Sequence, residues 1–351
     1  MCNLISLRHV VFSRDDHMPS MVGRLTCLET LPLFVVGPNR GGSIQELECL
    51  NQLSGKLEIN HLEEVSDKEE AKKSNLQKKT KIKALRFTWS DGREITSNDE
   101  EVLEGLEPHP NIEIIEINNY LGEKFPSWLL MMKIPNDGDS FSVFDNWWKI
   151  RCIGNEFYGI DDGSTSNGVR PFPALKDLYF GSMKSLVEWK APPVDEGGET
   201  VVFSCLEVLA IRKCPRLTKI PSSNRSSLVR LEIVDCEELS YLFDELHSFS
   251  SLEKISIGGC SKLTCLPNGL NSFTSLETLN IFRCEALTSV PEYLSELHSL
   301  TRLEIIVSKY EFFSGENIRR PHPIEVFKHR WFLGGVGFFP LSEFNPRPLI
   351  P

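Results

Sequence analysis

Between residues 206 and 306 the apolar positions recur as one phrase. Leu206, Leu209, Ile211, Cys214 and Leu217 are followed in the same spacing by Leu228, Leu231, Ile233, Cys236 and Leu239. Leu252, Ile255, Ile257, Cys260 and Leu263 come next, then Leu276, Leu279, Ile281, Cys284 and Leu287, and a fifth copy opens with Leu300, Leu303 and Ile305. The copies start at 206, 228, 252, 276 and 300, steps of 22, 24, 24 and 24 residues. Inside each copy apolar and polar residues alternate, which is the signature of a strand with one buried side. Leu231 and Ile233 are thus predicted to point inward, and Arg230, Glu232 and Val234 outward. One copy cannot bury its own leucines, so successive copies must stack and cover each other.

That period and phrase belong to the leucine-rich repeat. The predicted fold class is α/β: a leucine-rich-repeat solenoid with a parallel sheet on its concave face and short helical or irregular segments on its convex face. Looser copies precede the regular block at Leu7/Val10/Phe12, Leu28/Leu31/Leu33, Leu57/Ile59/Leu62, Ile82/Leu85/Phe87, Ile112/Ile115/Ile117 and Leu175/Leu178/Phe180. Convex positions repeat as well, at Leu246/Phe249, Leu270/Phe273 and Leu294/Leu297. The mixed-charge run 63–78 predicts a helix, and 99–106 a second one that Pro108 and Pro110 terminate. Four regions result: repeats with long connections over 1–134, a loop-rich junction over 135–173 where a repeat looks lost, regular repeats over 174–307, and a non-repeat tail over 308–351. Within the junction, Phe144 to Ile150 is expected to form one irregular strand.

Composition adds limits. A chain of 351 residues with 25% charged and 40% hydrophobic residues is globular, and its formal net charge of −11 argues against general affinity for nucleic acid or anionic membranes. The N-terminus does not read as a secretory signal, and no run reaches the roughly 20 apolar residues of a membrane span. The ten cysteines are therefore expected reduced, in the cytoplasm or nucleus.

Chemistry-bearing motifs are sparse. No phosphate loop, nucleophile elbow or zinc-protease helix occurs, and no catalytic, cofactor or metal residues are predicted. Cys214, Cys236, Cys260 and Cys284 come one per copy, so they should line up along the stack instead of converging on a metal; each reads as a small buried group at the turn after a strand, its thiol donating to a neighbouring coil. Trp147 and Trp148 read as strand residues fitted between loops, in preference to a ligand platform. The best binding candidates are outward residues of the regular strands: Arg212, Arg230, Glu232, Lys254, Asn280, Phe282, Arg302 and Glu304. Exposed arginines and aromatics are common interface anchors, and concave solenoid faces form extended recognition surfaces.

Several phrases go beyond the repeat itself. Leu28-Glu-Thr-Leu-Pro-Leu-Phe-Val-Val-Gly37 is similar to the L-Q-T-L-P-x-F-V-V-G segment of plant disease-resistance proteins that combine a coiled coil, a nucleotide-binding domain and leucine-rich repeats. The segment 44–59 and the phrases at 69–76, 85–90, 125–128 and 153–159 resemble the same family, so the likeness runs over roughly 1–310. The resemblance implies the sensor region of an intracellular immune receptor, recognising a pathogen effector or a guarded host protein, or docking on a receptor's nucleotide-binding domain if part of a longer chain. The coiled coil and nucleotide-binding domain are not in this sequence, and the tail resembles nothing in the family. A substrate-recruiting arm of a ubiquitin ligase and a receptor remnant without function are the alternative readings.

Overall fold

The computed structural model describes residues 4–12, 18–19, 21–37, 41–93, 98–131, 141–158, 175–191, 203, 205–221, 227–242, 250–266, 273–287, 294, 297–306 and 325–326. Most of the tail, the loops 161–168 and 194–200, Leu246, Phe249 and Leu270 lie outside the described residues. The strands in chain order are β1 (Leu33–Val35), β2 (Ser54–Asn60), β3 (Lys81–Thr88), β4 (Ile114–Asn118), β5 (Phe141–Asp145), β6 (Cys152–Ile153), β7 (Asp177–Gly181), β8 (Glu188–Trp189), β9 (Val208–Arg212), β10 (Arg230–Val234), β11 (Lys254–Gly258), β12 (Thr278–Phe282), β13 (Arg302–Ile306) and β14 (Glu325–Val326). Twelve of them form one sheet in the order β1-β2-β3-β4-β5-β7-β9-β10-β11-β12-β13-β14, while β6 and β8 pair separately. Every pairing in the long sheet is parallel.

The alternation of the regular copies is realised as predicted. Leu209, Leu231, Ile255, Leu279 and Leu303 stand in one row, and Ile211, Ile233, Ile257, Ile281 and Ile305 in the next. All but Leu303 and Ile305, on the penultimate strand, are buried. Near the N-terminus the phrase slips: Phe34, not Leu33, pairs in the inward row with Ile59. Pro32, which lacks a ladder donor, breaks the spacing there.

Where β4, β5, β7, β9, β10, β11 and β12 end, the chain turns through one left-handed residue. Asn119, Asn146, Ser182, Lys213, Asp235, Gly259 and Arg283 have φ between 51° and 63°. Their backbone N–H groups donate to the last carbonyl of the next strand, for example Asn146 to Gly181 at 3.0 Å and Asp235 to Gly258 at 2.8 Å. The residue after each turn is buried: Tyr120, Trp147 and Met183, then Cys214, Cys236, Cys260 and Cys284. The four cysteines thus continue a row that aromatics begin.

Strand β5 corrects the expected irregular strand over 144–150. It is a regular five-residue strand placed earlier, paired in register between β4 and β7. The reason is that Asn146 takes the turn and Trp147 the buried post-turn position, so Phe144 belongs to the inward row. Aromatic rings fill the core around it. Phe144 stacks on Phe180 at 5.6 Å, Trp147 lies 5.0 Å from Phe144 and 4.6 Å from Tyr120, and Trp189 meets Phe180 edge-on at 5.2 Å. The polar edges are satisfied too: Trp147 Nε1 donates to Ile117 O at 2.9 Å, and Trp189 Nε1 to Tyr158 Oη at 2.7 Å.

The long helix expected over 63–78 is broken. It resolves into 3₁₀ turns at Leu62–Glu64 and Leu76–Lys78 around a short helix α1 (Lys68–Lys72). Left-handed Asn75 ends the helical path, and Asp67 caps α1 by accepting from Glu70 N at 2.8 Å. The second helix, α2 (Asp99–Gly105), forms where predicted and packs on α1. Gly105 permits the approach, since a Cβ there would lie 2.5 Å from Lys68 O. A third helix, α3 (Ser127–Met131), was not expected.

One cation is buried within this convex layer. Lys79, 1% exposed, donates through Nζ to Leu47 O at 2.6 Å and Leu50 O at 3.3 Å. Burial pushes its amine down to about 8, with Cys49 and Glu48 pulling the other way.

Two outcomes follow. Phe144→Ala should cost about 3–5 kcal/mol in urea unfolding, while Val143→Ala on the outward side costs well under half as much. Equal losses would mean that the aromatic rings do not carry the junction. Because the folded Lys79 amine has a pKa below its unfolded value, the unfolded chain holds more protons between pH about 8 and 10.5, and stability gains from this group as pH rises through that window. The wild-type stability minus that of Lys79→Met should therefore climb by up to about 1.4 kcal/mol per pH unit there. A difference that is flat or falling with pH would contradict the buried charge.

Candidate functional site

The outward rows of β9–β13 hold all eight sequence-predicted residues, and the structure divides them. Arg212 on β9 and Glu232 on β10 pair diagonally, with Nε to Oε1 at 2.5 Å. Glu232 is only 7% exposed, and the Arg212 guanidinium also lies 5.9 Å from the Tyr179 ring. This pair is part of the sheet's own surface packing. Arg230 and Asn280 are half-buried, and Lys254 and Arg302 are exposed. Glu304 sits 3.4 Å from Arg302. Phe282 lies flat over Gly258, where a Cβ would come within 2.0 Å of its ring, and the Arg283 guanidinium is 5.6 Å from that ring. Glycine at 258 therefore makes room for the aromatic.

Sequence reasoning missed the N-terminal half of the same face. Arg86 on β3 bridges Glu116 on β4 and Glu58 on β2, the latter at 3.1 Å. Lys83 likewise pairs with Glu113. The alternation of Glu58, Arg86 and Glu116 along one outward row was the available signal, visible only once the looser copies are aligned.

Ser90 also meets His61 and Glu63, 29 and 27 residues earlier in sequence. Ser90 Oγ and Glu63 Oε1 both lie 3.0 Å from the same nitrogen, His61 Nδ1, and Ser90 donates to Glu63 through its hydroxyl and, at 3.0 Å, through its backbone N–H. A nucleophilic relay needs serine and carboxylate on opposite ring nitrogens. Here the group ties consecutive coils together at the left-handed His61 turn. Burial pushes the Glu63 carboxyl up, but the hydrogen bonds from Ser90 and His61 outweigh it and hold the group below its ordinary range.

The row Cys214–Cys236–Cys260–Cys284 runs one residue per coil, all thiols free. The expected donation to a neighbouring coil occurs at Cys236, whose Sγ reaches Ile211 O at 4.0 Å. The others donate to their own strand's end, as Cys214 does to Arg212 O and Cys260 to Gly258 O, both at 3.5 Å. The turn curls each thiol back over its own strand, which corrects that expectation. Thiol–thiol hydrogen bonding with Cys214, and with Cys284, together with burial raises the pKa of Cys236 and Cys260, so both are inert thiols at neutral pH. Trp147 lies in the core, and Trp148 is half-buried with Lys184 Nζ 4.6 Å from its ring. Among the described residues no group of three or more histidine, cysteine or acidic side chains is placed to hold a metal ion, and no helix is long and apolar enough to cross a membrane.

Removing the Ser90 hydroxyl tests the stitch. Ser90→Ala should lose about 1 kcal/mol near pH 7. Since Glu63 stabilises only while ionised and its carboxyl is held below the ordinary range, the deficit should shrink as acid protonates it. A deficit that persists after Glu63 is shown by NMR to be protonated would mean that the carboxylate is not what Ser90 serves.

The sequence is similar to known proteins. Residues 44–136 match the family model described as R13L1/DRL21 LRRs. The putative disease resistance protein RGA4 of Solanum bulbocastanum is 34% identical over 239 residues, 61% of this chain and 23% of that one. The putative disease resistance RPP13-like protein 1 of Arabidopsis thaliana is 30% identical over 247 residues, 62% and 23% of the two chains. Disease resistance protein RGA2 of Solanum bulbocastanum is 33% identical over 236 residues, 60% and 23%. The chain thus spans about a quarter of the length of the curated relatives it matches. Among solved structures, an internalin of Listeria monocytogenes aligns with a TM-score of 0.38 and 15% identity, over 82% of this chain and 78% of that one. The chain is a leucine-rich-repeat solenoid whose sequence is similar to the leucine-rich-repeat region of plant disease-resistance proteins.

Proposed function

We propose that this chain is a non-enzymatic protein-recognition module in plant immunity, working in the cytoplasm. In this reading it senses a pathogen effector or a guarded host protein through the outward rows of β10–β13. The supporting observation is the division of that face. Its inward rows are uniform aliphatics, while the in-register outward rows vary most at the third position (Glu232, Ser256, Asn280, Glu304) and the fifth (Val234, Gly258, Phe282, Ile306), beside Arg230, Lys254, Thr278 and Arg302 at the first. Uniform inside and varied outside is what a fold needs to keep its architecture while presenting a specific surface. Similarity to disease-resistance proteins supplies the immune setting. In a longer receptor the same repeats would also contact the nucleotide-binding domain.

Photo-crosslinking tests the site. A crosslinking amino acid at Asn280 should capture plant proteins that the same group at Lys262, exposed outside the strands, does not. Lys254→Glu should abolish that capture while circular dichroism is unchanged. Identical products from both positions, or capture indifferent to charge reversal at Lys254 and Arg230, would sink the assignment.

A further inference from the structure

Behind the outward rows of the regular coils runs the ladder of free thiols. Cys214, Cys236, Cys260 and Cys284 each follow a left-handed turn residue, or glycine, with φ between 51° and 63°. Each then opens the same short turn, in which the N–H of Leu217, Leu239, Leu263 or Leu287 donates to the cysteine carbonyl at 3.1 to 3.3 Å. Neighbouring cysteines therefore hold equivalent places in adjacent coils, about 4.8 Å apart, one strand spacing. A disulfide joins Cα atoms about 4.4–6.8 Å apart, so each step of the ladder lies within bonding reach.

The steps differ in chemistry. Cys260 and Cys284 stand over the ends of their own strands, 3.5 Å from Gly258 O and 3.6 Å from Phe282 O, and their thiols are hydrogen-bonded to each other. Cys214, Cys236 and Cys260 are fully covered, whereas Cys284 is 5% exposed and so has an edge on solvent. Hydrogen bonding from the Cys260 thiol holds the Cys284 pKa below the ordinary thiol value against the cost of burial, helped by the Cys260 backbone N–H and by Arg283. Gly258 and Gly259 precede Cys260, so the backbone on that side can adjust. The Cys214–Cys236 step lacks these features. Both thiols are covered, Pro215 stiffens the chain after Cys214, and the bond with Cys214 together with burial raises the pKa of Cys236.

We propose that Cys260 and Cys284 form a peroxide-sensitive dithiol that closes a disulfide between the coils of β11 and β12, while Cys214 and Cys236 stay reduced. The Cys284 thiolate attacks one oxygen of hydrogen peroxide; the O–O bond breaks, giving a sulfenic acid and hydroxide. That hydroxide takes the Cys260 proton and leaves as water. The Cys260 sulfur then displaces hydroxide from Cys284, and the S–S bond forms. Two sulfurs lose one electron each and the peroxide gains both. In a reducing compartment such a bond is transient, a record of oxidant and not a permanent staple.

The full chain carrying Cys27→Ser, Cys49→Ser, Cys205→Ser and Cys265→Ser, which removes the exposed thiols, provides the test. After hydrogen peroxide, alkylation in urea and proteolysis, mass spectrometry should find a Cys260–Cys284 disulfide beside alkylated Cys214 and Cys236. Cys284→Ser should abolish the cross-link and slow oxidation of Cys260 about tenfold. Cys260→Ser should leave a Cys284 sulfenic acid that dimedone captures. Should either variant fold poorly, the chain with its ladder intact gives the same reading. Its Cys260–Cys284 bond should form about tenfold faster than any Cys214–Cys236 bond, and unfolding in urea before peroxide should erase that preference. Four alkylated ladder thiols after peroxide treatment of the folded chain, closure of both steps at one rate, or the same preference in the unfolded chain would overturn the proposal.

Discussion

No coil of this protein can cover its own apolar side chains, and everything else in the structure answers to that constraint. Each strand buries two residues against the strands before and after it, and each turn after a strand must then deliver the chain to the same height. The left-handed residue at the strand end does this by returning its N–H to the next coil. Asparagine, aspartate and glycine take that conformation at little cost, whereas Ser182, Lys213 and Arg283 hold it at roughly 1–2 kcal/mol each. The ladder tolerates such losses because each turn also secures a backbone hydrogen bond and a buried side chain immediately after it.

The middle of the chain shows how the constraint is met when the repeat phrase is lost. Around β5 the leucines give way to Phe144, Trp147, Phe157, Phe180, Trp189 and Phe203, whose rings reach further than aliphatic side chains and bridge the irregular spacing between coils. Trp147 donates its indole N–H to Ile117 O, and Trp189 donates to the Tyr158 hydroxyl, which in turn donates to Lys190 O. The sheet therefore runs through a region that, read as letters, looks like an interruption. The registers of β4, β5 and β7 place Glu116, Val143 and Tyr179 in one outward row with Ala210 and Glu232.

Much of this was legible from residue pattern. The regular block gave away its inward and outward positions because a two-residue period leaves no other assignment, and α2 was marked by its helix-forming residues and the prolines beyond it. The junction was not legible, since the rule being followed there is volume filling by rings, which has no short period. Nor was the break in the 63–78 helix, which depends on Asn75 turning left-handed within a run of good helix formers. At the candidate site the direction of each side chain was readable, but its availability was not. Glu232 and Arg212 look like free surface charges in sequence, and only the cross-strand pairing shows them spent on one another. Conversely, Glu58, Arg86 and Glu116 could be placed outward from their positions between Leu57/Ile59, Leu85/Phe87 and Ile115/Ile117, but their ion pairing could not be read from the letters.

The outward rows of β10–β13 are held in line only if the stack is a single uninterrupted ladder. Hydrogen–deuterium exchange of the free chain is the most direct measurement of that claim. The amides of β5 should be protected to the same degree as those of β4 and β7 on either side. Exchange of β5 at the rate of an unstructured loop, with β4 and β7 protected independently, would contradict it.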